Sequence, residues 1–219
     1  IGEPSSANAL GDTVRVGRRG SLTGLMTIRG TLGHVAYPLA TENPMHGLAR
    51  FIQAVTRERL DQGHGPFPPT TFQMVNVHSD ADAPNVVPAE LRCRFNFRYS
   101  TRWTHQTLSA HIDSILAELG LDHEIKWHLA GEPFLTEEGQ LTAAVRDAVI
   151  QTTGLDPEFS TSGGTSDGRY ISPCGVDVVE VGPINKTIHQ VNEEIDVADI
   201  SRLEDIYFGI AERLLLSGA

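Results

Sequence analysis

The order of hydrophobic patterns predicts a mixed α and β protein with two parts, an α+β unit and a portion of an α/β layer. Residues 21–129 alternate between strand and helix periods in the order β-α-β-β-α-β. After Pro133 the pattern changes to amphipathic helices around a short, strongly apolar segment, which is typical of an α/β layer. With 219 residues, of which 40% are hydrophobic, the chain can bury a substantial core.

Each element of the α+β unit has its own signal. Residues 21–29 alternate as a strand does, and Pro44 opens an amphipathic helix that is predicted to run to about Leu60. Its apolar face is formed by Leu48, Phe51, Ile52 and Val55. The next elements are a glycine- and proline-rich loop at 63–69, strands at 70–77 and 90–98, a helix at 104–119 and a strand at 124–129.

This order predicts a ferredoxin-like unit, which is a four-stranded antiparallel sheet with both helices on one face. Thr104 is the predicted N-cap of the second helix, and Gly120 is predicted to end it. The α/β part is predicted to hold helices at 141–153 and 200–216, a short strand before Gly163 and a strand at 176–181. These elements supply too little sheet, so this part is expected to be incomplete. The predicted boundaries are 1–20, 21–132 and 133–219.

Composition and charge exclude several classes of partner. The net charge of −11 and the absence of a basic stripe argue against nucleic-acid binding. No apolar run approaches the roughly 20 residues that span a bilayer. The two cysteines, Cys93 and Cys174, are expected to be free and buried in a reducing compartment, and we expect a cytoplasmic protein. The chain starts without Met and without a signal peptide, as though it were cut from a longer one.

The densest polar cluster is Gly163–Arg169, with the sequence GGTSDGR. Its free backbone amides, hydroxyl groups and guanidinium group suit the binding of a carboxylate or an oxyanion. The alternative is a tight strand-to-helix turn in which Ser and Thr only cap backbone groups.

Two further clusters contain groups that bind metals. His189 follows an apolar segment in a loop with Asn185, Thr187 and Asn192, which could orient an imidazole ring or a substrate. A lone histidine of this kind is more often a surface or capping residue. Glu3, in Gly2–Ser6, could also bind zinc, although a glutamate at such a position is usually only solvated.

A last group of residues could bind an anionic substrate. His34 lies after the first strand of the α+β unit, where a neutral imidazole could donate a hydrogen bond to an oxyanion or only pack beside Tyr37. Arg18, Asn85 and Arg98 complete the group. Two arginines at one pocket would pair bidentately with carboxylates, whereas each alone is more often a surface residue or part of a structural ion pair.

These clusters, in this order, resemble the M20 metallopeptidase family over essentially the whole chain. The resemblance is carried by seven segments: GEPSS, GRRGSLTG, GHVAYP, NVVPAEL, FNFR, GGTSDGR and TIHQVNE. They are most similar to the branch of the family that removes the succinyl group from N-succinyl-LL-2,6-diaminopimelate. Relatives with other substrates usually carry a GGTD-type segment instead.

The resemblance implies a fold, cofactors and roles for individual residues. It implies that Glu3 and His189 each bind one of two zinc ions, for which cobalt could substitute, and that His34 stabilises the oxyanion in the partner subunit's active site. It implies that the substrate is a small molecule and that the α+β unit is a lid and dimerisation domain of a homodimer. The substrate-binding positions that it implies are Arg18, Asn85, Arg98, Gly164, Thr165 and Asn185.

The sequence also departs from the family pattern. The His-x-Asp segment, the bridging Asp and the Glu-Glu pair that precede GEPSS in the family are absent from the 219 residues. Glu3 and His189 alone cannot hold two zinc ions, since each zinc takes about four ligands. The 219 residues alone are therefore expected to be inactive. Two alternatives stay open: a non-catalytic dimerisation module, and an M20 amidohydrolase for another acyl group, such as acetylornithine deacetylase.

Overall fold

A computed structural model describes residues 1–57 and 59–216 of the chain. The strands are β1 Thr13–Arg15, β2 Gly17–Arg18, β3 Gly20–Arg29, β4 Gly33–His34, β5 Thr71–His78, β6 Val86–Val87, β7 Glu90–Tyr99, β8 His123–Gly131, β9 Phe134–Leu135 and β10 Glu158–Ser160. The helices are α1 Pro44–Arg57, α2 His105–Glu118, α3 Gln140–Thr153, α4 Gly168–Ile171 and α5 Val197–Leu215, with 3₁₀ turns at Pro38–Ala40 and Ser172–Cys174.

The chain divides into two compact units. The sheet unit contains residues 20–64 and 68–132, and the split unit contains residues 1–19, 65–67 and 133–216. The short segment 65–67 lies within the predicted α+β region but packs with the split unit. One contact to the split unit helps to explain this placement: the Thr161 hydroxyl donates a 2.8 Å hydrogen bond to the carbonyl of Pro66. The neighbouring Phe67 is buried.

The sheet unit has the predicted order of elements, β-α-β-β-α-β. The four strands of its main sheet lie in the order β5-β7-β3-β8, and each neighbouring pair is antiparallel; the two-residue strands β4 and β6 form a separate antiparallel pair. In β3 the side chains of Leu22, Met26 and Ile28 are buried, as alternation requires when only one face of a sheet is covered. These side chains form one core with those of α1 and α2, including Phe51 and Ile112.

Local signals set the ends of α2 where the sequence predicts them. Thr104 accepts a hydrogen bond from the backbone of Thr107 at 3.2 Å, and the Thr107 hydroxyl accepts one from the backbone of Thr104 at 3.0 Å. This reciprocal cap satisfies amides that have no partner in the first turn. Gly120 follows the helix with a φ of +61°, which is the left-handed conformation that ends many helices.

The split unit is built from short strands and two long helices. β1 pairs in parallel with β10, and β2 pairs with β9 in antiparallel fashion. Helix α3 packs against α5. The core of the unit includes Val14, Val149 and Ile206, all of which are fully buried.

The predicted strand at 176–181 is wrong. Within this segment only Glu180 forms a bridge, with Arg15, although Val178, Val179 and Val181 are buried as expected. The backbone of this segment forms hydrogen bonds to two different parts of the chain. Glu180 exchanges backbone bonds with Arg15, whereas the carbonyl of Val179 and the amide of Val181 bond to the amino group and the carbonyl of Ile1. Because neither neighbour continues alongside it, no regular ladder forms.

The cysteines differ from the prediction in one respect. Cys93 is buried in the core of the sheet unit, and burial raises the pKa of its thiol to about 11. Cys174 is exposed, because it lies in the 3₁₀ turn after α4, so the expectation of burial is wrong for it. Both cysteines are free. Within the described part of the chain, no helix is both long and apolar enough to cross a bilayer.

Candidate functional site

The segment that carries Glu3 is fastened to the segment that precedes His189. The Ser5 hydroxyl accepts a 3.1 Å hydrogen bond from the backbone of Gly182, and the Ser6 hydroxyl donates a 2.7 Å bond to the carbonyl of Gly182. Both serines are fully buried. A Cβ at Gly182 would lie 2.2 Å from the carbonyl oxygen of Glu3, so only glycine permits this approach.

A second fastening joins the same two segments further along. The backbone amide of Ser6 donates to the carbonyl of Pro183 at 3.2 Å, and the amide of Asn185 donates to the carbonyl of Ser6 at 2.9 Å. The predicted substrate-binding residue Asn185 is thereby tied to the segment of the predicted zinc ligand Glu3. Sequence reasoning placed both in one site, and the backbone contacts bring their segments together within the split unit.

Asp12 shapes the turn that follows Ser6. Its carboxylate accepts hydrogen bonds from the amides of Ala7, Asn8 and Ala9 at 2.7, 2.7 and 3.0 Å. Burial alone would raise the pKa of Asp12, but these amide bonds outweigh it and hold the pKa below its ordinary value. Asp12 was not among the predicted site residues, since its only signal in the sequence is its position in a Gly-Asp pair after the GEPSS segment.

The loop around His189 has an unusual backbone. His189 has a φ of +61° and Asn192 a φ of +67°, both in the left-handed region that residues other than glycine seldom adopt. The Thr187 hydroxyl braces the loop, because it donates to the carbonyl of Glu194 at 3.0 Å and accepts from its amide at 3.2 Å. Backbone strain of this kind concentrates at functional sites, which favours a role for His189 over that of an ordinary surface residue.

Glu3 and His189 offer the donor atoms that zinc and cobalt accept in proteins, a carboxylate and an imidazole. Glu3 is half-buried and His189 is exposed. Over residues 1–57 and 59–216, no three His, Cys, Asp or Glu side chains are grouped closely enough to hold a metal ion. These two residues therefore fit a metal site chemically, and further ligands would be needed to complete it.

The glycine-rich loop lies on a buried ion pair. Arg18 Nε donates to Glu180 at 2.8 Å, its Nη2 bonds to the same carboxylate, and its Nη1 donates to the carbonyls of Ser162 at 3.1 Å and Gly164 at 3.3 Å. Four of the five N–H groups of Arg18 are thus used within the described residues. Arg18 was expected to bind a carboxylate bidentately, but this geometry leaves it at most one free N–H group.

Gly164 and Thr165, the two predicted substrate-binding residues of the glycine-rich loop, could still contact a ligand. A Cβ at Gly164 would meet no atom within 4 Å of it, so the backbone is open there. Thr165 is half-buried, and its hydroxyl accepts a 3.0 Å hydrogen bond from Arg169. A hydroxyl group that accepts one bond can still donate its own hydrogen. The predicted roles of Gly164 and Thr165 are compatible with this arrangement and stay predictions.

His34 and Asn85 meet in the sheet unit. The strands β4 and β6 pair His34 with Val86, and Asn85 Nδ2 lies 3.4 Å from His34 Nε2. The amide of Ala36 donates to His34 Nδ1 at 3.1 Å, so a neutral ring carries its proton on Nε2. As placed, Asn85 Nδ2 and a protonated Nε2 would be two donors facing each other, so Nε2–H donates to Asn85 only when the side-chain amide is turned to present its oxygen, and otherwise it is available to a ligand. The ring of Tyr37 also lies beside His34, with 5.8 Å between the centroids.

Arg98 lies on the face of β7 that the helices leave uncovered. It is half-buried and sits between Ser21 of β3 and Thr71 of β5 in the sheet register. Within the described residues no ion-pair partner is recorded for its guanidinium group. This environment leaves Arg98 able to bind an anion, although its predicted substrate role is not tested by the geometry.

Glu180, like Asp12, is a residue of the site that the sequence patterns did not predict. It was treated as part of an apolar strand, whereas its carboxylate is fully buried and holds Arg18 and Ser166. The sequence does contain a sign of this role, which is the single acidic residue within the apolar run Val178–Val181. A charged side chain that is buried with such a run needs a hydrogen-bonding or charged partner.

The chain is similar in sequence to known proteins of one family. Residues 16–124 match the peptidase dimerisation domain of the M20 family. Over 98% of its length the chain is 51% identical to a succinyl-diaminopimelate desuccinylase of Nitrosococcus oceani and 50% identical to that of Alkalilimnicola ehrlichii. The chain spans 57% of the length of each of these relatives.

Solved structures share the fold at much lower identity. An aminopeptidase PepT from Bacillus cereus superposes with a TM-score of 0.77 at 17% identity, over 95% of this chain and 56% of its own. An M20 family metallo-carboxypeptidase from Sulfolobus solfataricus gives a TM-score of 0.68 at 14% identity, over 97% and 60%. From the sequence identity, the matched domain and the shared fold, we conclude that this chain belongs to the M20 peptidase family.

Proposed function

We propose that the complete protein containing this chain hydrolyses the amide bond of N-succinyl-LL-2,6-diaminopimelate to succinate and LL-diaminopimelate. The observation that carries the proposal is the 51% identity, over 98% of the chain, to a relative named for this reaction. This reaction belongs to lysine and diaminopimelate biosynthesis, and we infer a cytoplasmic enzyme that acts on a small molecule.

We infer that the split unit is part of the catalytic domain and that Glu3 and His189 each bind one of two zinc ions. The contacts that fasten their segments together support this inference. When bound, such a pair of zinc ions polarises the amide carbonyl and activates water for attack. The remaining ligands would come from residues outside this chain, since each zinc takes about four.

We infer that the sheet unit is a ferredoxin-like lid and dimerisation domain through which the protein forms a homodimer. The match of residues 16–124 to the family's dimerisation domain supports this assignment. Its antiparallel strand order and its two helices on one covered face are compatible with the ferredoxin-like type.

The residues of this chain then contribute binding and charge stabilisation. His34 donates its Nε2–H to the oxyanion that forms on the amide carbon, and Ala36 keeps the ring in the tautomer that can do so. Arg98 binds a substrate carboxylate. Thr165 donates through its hydroxyl group, while Asn85 and Asn185 supply amide groups that orient the substrate.

The test is turnover and metal content of the complete gene product. We expect two zinc ions per chain by elemental analysis and hydrolysis of N-succinyl-LL-2,6-diaminopimelate. N-acetylornithine serves as the competing substrate. Faster hydrolysis of the acetylated compound would assign the protein to another branch of the family, and a metal-free, inactive dimer would favour a pure dimerisation module.

A further inference from the structure

Glu180 is a charged residue buried completely in the split unit. Its side chain has no solvent exposure. Its amide donates to the carbonyl of Arg15 at 2.8 Å, and its carbonyl accepts from the amide of Arg15 at 3.0 Å. This pair of bonds fixes the backbone of Glu180 against β1 and therefore fixes the direction in which its side chain leaves the chain.

Both carboxylate oxygens of Glu180 are occupied. Oε2 accepts from Nε and Nη2 of Arg18, and Oε1 accepts from the hydroxyl of Ser166. Burial of a carboxylate is tolerated only when such partners replace the lost water. Ser166 and Arg18 are themselves buried, so the whole group is shielded from solvent.

The ion pair also sets the shape of the glycine-rich loop. Arg18 Nη1 bonds to the carbonyls on either side of Gly163, those of Ser162 and Gly164. Gly163 has a φ of +98°, and a Cβ at this position would lie 2.5 Å from Arg18 Nη1. The backbone of the loop therefore packs closely around the guanidinium group of Arg18. At the C-terminal end of the loop, Ser166 is fixed by its hydrogen bond to Glu180.

We propose that Glu180 is a positioning residue for substrate binding, which acts by holding Arg18 and Ser166 and thereby the loop 162–166. The substrate part of this proposal rests on the proposed function, in which Gly164 and Thr165 meet the substrate. In this arrangement Arg18 serves chiefly as a scaffold, and its one remaining N–H group, on Nη2, can give a substrate carboxylate a single hydrogen bond.

The test compares Glu180→Gln, Ser166→Ala and Ser166→Thr with Val149→Ala in the complete, zinc-loaded protein. Val149 is fully buried in the same unit, in a core cluster whose described members include none of residues 162–166, so its truncation controls for a general loss of stability. Steady-state kinetics with the succinylated substrate give KM and kcat. Hydrogen exchange of the amides of Arg169 and Tyr170, which donate to the loop carbonyls of Ser166 and Asp167 at 3.3 and 3.0 Å and are called here the loop amides, reports the order of the loop without reference to any activity.

We expect Glu180→Gln to raise KM about tenfold, since a charged hydrogen bond is lost, while kcat changes less than about threefold. Loop amides should exchange about tenfold faster in Glu180→Gln and Ser166→Ala, and Ser166→Thr should restore slow exchange because it keeps the hydroxyl group. Val149→Ala should move neither KM nor the loop amides.

Unchanged KM and unchanged loop exchange in a folded Ser166→Ala protein would overturn the proposal, even where Glu180→Gln fails to fold. An equal effect of Val149→Ala on the loop would overturn it as well. Should the protein lack desuccinylase activity, the exchange experiment still decides whether Glu180 holds the loop, so the two failures can be told apart.

Discussion

The sheet unit and the split unit differ in how completely they cover their apolar residues. In the sheet unit, 15 buried residues from two strands, two helices and the turn after α2 form one continuous core. In the split unit, Phe208 is 67% exposed and Leu215 is 77% exposed along α5. An open groove of about 410 Å³ runs beside this helix, with a mostly apolar lining that includes Ile1, Val178 and Tyr207.

This difference shows that the two units reach stability in different ways. A four-stranded sheet with two covering helices buries its own hydrophobic face and needs no further layer. Among the described residues, the strands of the split unit form only two-stranded pairs, and several apolar side chains of α5 stay exposed. Besides its own buried core, hydrogen bonds of the buried side chains of Ser5, Ser6 and Glu180 join its segments.

The largest effect that we expect is from Phe95→Ala in the sheet unit. Phe95 is fully buried and lies 5.4 Å, between ring centroids, from both Phe51 and Phe72. Truncation should lower the free energy of unfolding by about 3–5 kcal/mol. The matched change Phe208→Ala in the split unit should alter it by less than about 0.5 kcal/mol in this chain. Urea denaturation measures both, and equal losses would contradict the contrast between the units.

The next prediction is that the two units contribute to catalysis in different ways, the sheet unit through His34 and the split unit through zinc binding at His189. In the complete protein, His34→Ala should lower kcat about 10²–10³-fold, because one donor to the oxyanion is lost, and should leave the zinc content unchanged. His189→Ala, in the split unit, should instead reduce the bound zinc. Steady-state kinetics and elemental analysis measure these effects, with the exposed His46→Gln as the control. A loss of zinc in His34→Ala would show that the roles are not divided between the units in this way.

The smallest effect that we predict concerns Asp61, which fastens the loop of the sheet unit. It accepts bonds from the amides of Gly63 and Thr70 at 2.8 and 3.0 Å, from the Thr70 hydroxyl, and from Trp103 Nε1 at 3.0 Å. Burial alone would raise the pKa of Asp61, but these bonds prevail and lower it. Asp61→Asn should lower the free energy of unfolding by about 1–2 kcal/mol near neutral pH.

The lowered pKa fixes the direction of the pH dependence. The stabilisation by Asp61 is fully present well above its ordinary pKa of 3.8 and is lost as the pH falls through the lowered value. The difference between wild type and Asp61→Asn should therefore shrink in acid. Fluorescence detects this in the sheet unit alone, since both tryptophans, Trp103 and Trp127, lie there. Asp82→Asn, an exposed change in the same unit, should show no such difference.

Sequence patterns predicted the sheet unit almost element by element. The helix that begins at Pro44 and the cap at Thr104 lie where they were predicted, because short-range signals decide them. The first helix was predicted to run to about Leu60, but its described part ends at Arg57; Glu58 lies outside the described residues, and Arg59 and Leu60 are not helical, so the predicted end lies too far along the chain. The split unit was predicted less well, because residues 176–181 have a strand-like composition but no continuous neighbour to pair with.

For the candidate site, sequence alone determined which residue types are present and the motifs that group them, including Glu3, His34 and His189. Only the tertiary structure decided what Arg18 does, because the buried carboxylate of Glu180, 162 residues away in the chain, and the carbonyls of the glycine-rich loop take up four of its five N–H groups. A motif records neighbours along the chain, whereas burial and hydrogen bonding depend on neighbours in space. For that reason the fastenings at Ser5, Ser6 and Glu180 could be found only in the folded molecule.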